Sequence, residues 1–173
     1  MNKVSIYFML FIICACESTS GETENKEPWS MDQSVDFNQE LHQREELAIE
    51  IYLAHHKDLS MTRTNSGVRY QFAKNRYGHG DVAKIGNEVA VEMKIQLLDG
   101  TLCYETDSIP YKFLLGLSDE ESGLQEVLQL MKAGQKSKII IPSYLAHGLL
   151  GNSKTIPPQS ILLIDVALIS SKS

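Results

Sequence analysis

A two-residue alternation is the strongest constraint in this chain. Val89, Val91, Met93, Ile95 and Leu97 fall on one side of an extended segment, and Ala90, Glu92, Lys94 and Gln96 fall on the other. That pattern suits a strand with one face on a core and one toward solvent. Asp99-Gly100 follows as a hairpin signal, because glycine reaches the positive φ that a tight turn demands. Thr101 to Glu105 then reads as the returning strand, so an antiparallel sheet is the starting point.

Other segments extend it. Val68, Tyr70 and Phe72 alternate with Arg69 and Gln71, and Tyr77-Gly78-His79-Gly80-Asp81 reads as a turn. Its glycines make no phosphate loop, since neither a GKS/T element nor a helix start follows. Tyr111 to Leu115, Lys138 to Ile141 and Ile161 to Leu168 read as further short strands. Between them Leu124, Val127, Leu128 and Met131 share one helical face, and Gly134 supplies a stop. The fold class is α+β, a twisted antiparallel sheet curled over one short helix.

Upstream, Phe37, Leu41, Ala48, Ile51 and Tyr52 recur near helical spacing, which predicts an amphipathic helix from Phe37 to about Lys57 with Ser34 as its cap. Its apolar stripe packs on the domain, pairs with a second copy or meets a partner. His55 and His56 are adjacent and point to different sides of a helix, so they make poor metal co-ligands. No metal or cofactor is expected.

At the N-terminus Lys3 precedes an apolar run from Val4 to Ile13, too short to span a bilayer but suited to a signal segment. The run ends in Ile13-Cys14-Ala15-Cys16, which resembles the bacterial lipobox, with Cys16 as the acylated residue because small Ala15 precedes it. Cleavage there removes Lys3 alone among the charges, leaving 15 basic against 22 acidic residues, a net charge of −7. That balance argues against a nucleic-acid partner, which selects basic faces. With Cys16 acylated, Cys103 is the remaining thiol, so no intramolecular disulfide is available and Cys103 reads as a small buried hydrophobe. The expected organisation is a signal over residues 1–15, a polar tether over 16–36 that carries Trp29, a helix and linker over 37–66, and one β-rich domain over 67–173.

Within that domain Gly86, Leu98-Asp99-Gly100, Phe113-Leu114-Leu115-Gly116, Gly123-Leu124, Ala133-Gly134-Gln135-Lys136, Leu145-Ala146-His147-Gly148, Ile156-Pro157-Pro158 and Ile161 to Val166 stand in order. Their order and spacing over residues 86–169 resemble the FKBP-type peptidyl-prolyl cis-trans isomerases. The preceding helix and the lipobox are similar to the gliding-motility-associated lipoprotein isomerases of Bacteroidetes-type bacteria.

The resemblance implies an apolar proline pocket with catalytic positions at Met93, Tyr104, Tyr111, Leu124, His147, Ile156 and Ile164, and substrate contacts at Cys103, Phe113, Glu120 and Glu121. Several depart from the family pattern. Met93 stands for Tyr, Cys103-Tyr104 for Phe-Asp, Leu124 for the floor Trp, His147 for a hydrogen-bonding Tyr, and Ile164 for Phe; Glu121 takes an aliphatic position. Tyr111, Phe113 and Ile156 keep the expected character. Lost aromatic contact area implies weak catalysis.

Two functions follow from the resemblance. One is a proline isomerase that assists exported polypeptides, lipid-anchored in the bacterial envelope and facing the periplasm. The other is a non-catalytic binding module or chaperone in a membrane-associated machine, using the helix Phe37 to Tyr52, which also offers a homodimer contact, or the loop Leu149-Leu150-Gly151. The anchor gives the first testable outcome. Cells fed a fatty-acid analogue should label the wild-type chain and not Cys16→Ala; equal labelling of both removes the anchor.

Overall fold

The computed structural model describes residues 30–74 and 78–173; the signal segment, Cys16 and Trp29 lie outside them, as does Tyr77. The chain runs α1 (Met31–His55), β1 (Thr62–Arg63), β2 (Arg69–Phe72), β3 (His79–Val82), β4 (Glu88–Leu97), β5 (Leu102–Glu105), β6 (Tyr111–Leu114), α2 (Ser122–Leu128), β7 (Lys132–Ala133), β8 (Lys136–Ile141), a 3₁₀ turn (Ser143–Leu145) and β9 (Leu162–Lys172). One sheet has the order β1-β2-β8-β9-β4-β5, with β6 also paired to β4; β3 and β7 form a separate small ladder. All pairings are antiparallel. This is the α+β sheet-over-helix architecture that the periodicities require.

The alternating strand is the spine. β4 pairs with β9 from Glu88↔Lys172 to Leu97↔Leu162, with one bulge between Ala90 and Val91. Its other edge is shared, with β5 along Lys94 to Gln96 and β6 along Glu88 to Val91. At the hairpin Gly100 adopts φ +89 and the amide of Thr101 donates to Asp99 Oδ1, as the Asp-Gly turn predicts. Val89, Val91, Met93 and Ile95 point inward into one cluster with Leu124, Val127 and Leu128 of α2 and with Met131, which lies beyond the end of the helix at Leu128 rather than on its face as the spacing predicts; these four partners are fully buried.

The outer face is also covered, in part. Ile140 and Leu163 are register partners on β8 and β9 that point away from the main core. Ile49 of α1 seals them, with Tyr52, Leu53, Met61, Leu98 and Ile161 at the margin. The sequence carries the reason: Ile139-Ile140-Ile141 and Leu162-Leu163-Ile164 are continuous apolar runs, and such runs mark strands buried on both sides. The N-terminal helix therefore packs on its own domain.

Its details differ from the periodicity reading. The helix starts at Met31, and its cap is Ser30 rather than Ser34, in a capping box with Gln33. Its buried residues are Leu41, Glu45 and Ile49, whereas Ile51 is half exposed. An apolar count misses Glu45, because a carboxylate is buried only where donors await it. Ser143 supplies them, donating through its amide at 3.0 Å and through its hydroxyl. The histidine pair ends the helix: His55 and His56 each donate from Nδ1 to the carbonyl four residues back, and His56 stacks on Tyr52. Of the turn expected at 77–81, Tyr77 lies outside the described residues, and residues 79–81 belong instead to the edge strand β3, paired with β7.

One charged group under α1 is buried. Arg69 of β2 has its side chain 8% exposed, and its guanidinium donates to Glu46 at 2.6 Å, with Arg63 donating to the same carboxylate at 3.1 Å. Arg69 foremost, against the opposing effect of burial, holds the Glu46 carboxyl below its ordinary value. A depressed folded value means that this stabilisation is complete above the ordinary glutamate range and is lost as pH falls through the folded value. Glu46→Gln should lower unfolding free energy by about 1.5–3 kcal/mol at neutral pH. It should also flatten the acid limb of the melting temperature below about pH 5, as measured by calorimetry across pH 3 to 7.

Candidate active site

The positions expected to line a pocket come from β4, β5, β6, α2 and the residues just before it, the loop after the 3₁₀ turn, and β9. Met93, Cys103, Phe113, Leu124, Ile156 and Ile164 meet in the main core cluster. Leu124 and Ile164 are completely buried, so both are packed core residues. A Trp at Leu124 would have to displace its neighbours, an overpacking that costs about 1–3 kcal/mol in a dense core. Burial raises the Cys103 thiol above its ordinary value, in keeping with a small hydrophobe.

Polar groups stand beside this cluster. Glu121, buried at the N-terminal end of α2, accepts from His147 Nε2 at 3.1 Å when the imidazole carries that proton. Its second oxygen, Oε2, is buried without a hydrogen-bond partner among the described residues. Where the family pattern has an aliphatic residue and a tyrosine, this chain places a carboxylate and an imidazole in contact. A buried polar atom left unpaired costs about 1–3 kcal/mol.

Tyr111 lies at the start of β6, 38% exposed, with its ring tilted against Phe113 at 5.8 Å. Its hydroxyl donates to Glu120 Oε1 at 2.6 Å. Tyr104 follows Cys103 on β5 and, by strand alternation, turns outward. A cleft of about 860 Å³ along residues 104–112 takes in Tyr104, Ile109 and Tyr111. A second, of about 660 Å³, lies on the outer face and is lined among others by Lys94, Lys138 and Asp165.

Sequence reasoning passed over the residues that shape the loops. Gln125 of α2 accepts from the Gly116 amide and donates to the carbonyls of Ser118 and Glu120, fixing the segment that presents Glu120 and Glu121. Asn152 Oδ1 accepts from the amides of Lys154, Thr155 and Ile156, which holds Ile156 inward. Gly151 sits at φ +67, and a Cβ there would lie 2.2 Å from the Ile156 carbonyl oxygen, so only glycine fits. The sequence signal for Asn152 was its place one residue after that glycine, an Asx-turn setting.

A family model for FKBP-type peptidyl-prolyl cis-trans isomerases matches residues 80–169, more than half of the chain. The chain belongs to that family. It is 37% identical over 118 residues to the FKBP-type isomerase FkpA of Buchnera aphidicola, an alignment covering 65% of this chain and 44% of the relative. It is 33% identical over 92 residues to mouse FKBP10, covering 52% of this chain and 16% of that protein. The crystal structure of FkpA from Escherichia coli superposes with a TM-score of 0.65 at 29% identity, covering 81% of this chain and 64% of that one. This FKBP-type chain thus spans less than half the length of both curated relatives.

Among the expected pocket positions Tyr111 keeps its aromatic character and reaches solvent. Its hydrogen bond to Glu120, then burial and the Glu120 charge, push its phenol up to about 12. In Glu120→Ala the phenol should fall from about 12 toward its ordinary value, with burial still holding it somewhat above that value, as followed by the ring-carbon NMR shift of Tyr111. An unchanged high value would show that Glu120 is not its partner in solution.

Proposed function

We propose that the chain is a peptidyl-prolyl cis-trans isomerase of reduced rate that acts on proline-containing polypeptides in a bacterial envelope. The reaction is rotation about an amide whose barrier is roughly 18–20 kcal/mol, so it needs neither nucleophile nor metal. It needs a dry apolar seat that favours the twisted, less polar amide over either planar form. The observation that carries this reading is convergence: residues from β4, β5, β6, α2, β9 and the 156 loop form one apolar cluster with Tyr111 at its edge.

Reduced rate follows from what replaces the aromatic walls. An aromatic contact contributes about 0.5–1.5 kcal/mol beyond its buried area. With Met93, Leu124 and Ile164 at three such positions, the deficit is about 3 kcal/mol, or about 10²-fold in kcat/KM. The Glu121–His147 pair adds a polar wall where apolar and aromatic side chains would sit.

The lipobox-like Ala15-Cys16 supports attachment to a membrane through an acylated Cys16, facing the periplasm. That anchor and the N-terminal helix together favour a place among envelope lipoproteins of the gliding-motility-associated kind. Met31, Val35, Leu47 and Ile51 leave apolar surface exposed on α1 and support a contact with a second copy or a machine component. One observation favours a binding role beside the catalytic one. Leu150 is 82% exposed at the tip of the loop beside His147.

A protease-coupled assay on proline tetrapeptides should give a rate above the uncatalysed one and about 10²-fold below that of an aromatic-walled family member. Glu121→Ile should raise both kcat/KM and the melting temperature, since it removes a buried carboxylate with an unpaired oxygen. A wild-type rate equal to the uncatalysed one would leave the binding-module reading in its place.

A further inference from the structure

We infer that Glu45 of the N-terminal helix is a positioning residue for the site, acting on His147 through Ser143. The inference rests on the reading of His147 as part of the peptide pocket. It makes α1 a working part of that pocket.

The connection is a short chain of hydrogen bonds. Glu45 is 5% exposed on α1, and its carboxylate accepts from both the amide and the hydroxyl of Ser143. Ser143 is itself 1% exposed. Its remaining polar group, the carbonyl, accepts from the amides of Ala146 at 2.9 Å and Gly148 at 2.8 Å. Those amides flank His147 on either side. Every polar group of Ser143 is thereby committed, two to the helix and one to the backbone around the imidazole.

Neighbouring contacts tie the same turn of helix to the same loop. The ring of His42 lies against Tyr144 at 4.3 Å between centroids. Arg44 donates to Gln159 Oε1 at 3.4 Å, and the Gln159 amide donates to the Gly148 carbonyl at 2.9 Å. On the far side Ser122 Oγ donates to the Leu145 carbonyl, and His147 meets Glu121, so α2 holds the loop from within the domain. The loop is clamped between two helices, and Glu45 is the buried member of the outer jaw. Burying a carboxylate away from any cation is unfavourable unless strong donors compensate. Here both donors belong to the residue that sets the loop, so the geometry of Ser143 and the seating of α1 are one event.

Amide hydrogen exchange on the full-length chain tests this, because local opening is read residue by residue. In Glu45→Leu, which replaces the buried carboxylate with an apolar side chain and removes both bonds to Ser143, exchange at Ala146 and Gly148 should accelerate about tenfold while β4 amides keep wild-type protection. Glu45→Gln should restore slow exchange, since its carbonyl accepts from the Ser143 amide and its NH₂ donates to the hydroxyl. Where Glu45→Leu does not fold, Ser143→Ala, which removes only the hydroxyl bond, is read instead. Unchanged exchange at both amides, or acceleration spread equally over β4, overturns the inference. On proline tetrapeptides the same Leu variant should raise KM severalfold with a smaller change in kcat, as expected for loss of a peptide-orienting group. A wild type without isomerase activity would fail the functional reading alone, since the exchange comparison is read without substrate.

Discussion

Pairing of β4 with β9 is the constraint on which the structure depends. It runs the whole length of β4, and it gives both strands the same inward rows: Val91, Met93 and Ile95 on one, Ile164, Val166 and Leu168 on the other. A one-residue slip would turn each of those rows to the wrong face. α2 has its buried stripe opposite these rows, so helix and sheet specify each other. The loops that carry Glu121, His147 and Ile156 are then only as well placed as this ladder allows.

The same core explains the compromise at the site. Family pockets use aromatic side chains that serve both as packing and as walls. This chain keeps the packing with Met93, Leu124 and Ile164, which are smaller and sit wholly or almost wholly inside. Conserving apolar volume protects stability, while aromatic contact area is given up. The polar exchanges act in the opposite sense: Glu121 and His147 satisfy part of each other's hydrogen-bonding needs and leave one carboxylate oxygen buried without a donor.

The N-terminal helix is an integral part of the packed structure. Ile49 closes an apolar patch that the sheet would otherwise show to water, and burial of a side chain of that size contributes about 1.5–3 kcal/mol. Glu46 compensates Arg69, and Glu45 compensates Ser143. These contacts fasten the helix next to the loop that presents His147.

Much was legible in the residues alone. Strand β4, the Asp-Gly hairpin and the buried stripe of α2 follow from periods of two and 3.6, because an apolar face in a fixed register has one low-energy partner surface. The ordered motifs over residues 86–169 likewise pointed to the family that the chain belongs to. Glu45, Arg69 and the Glu121–His147 contact could not be read this way: a buried charge has no periodic signature, and its cost is met by groups distant in sequence, 98 residues away for Glu45 and Ser143. Ile51 and Ser34 were misread for the same reason, since helical spacing indicates that a face exists and the docking surface decides which face it is. Local pattern thus determined the elements and their inward sides. Tertiary contact alone decided that Leu124 and Ile164 are sealed within the core and that α1 holds the loop of His147.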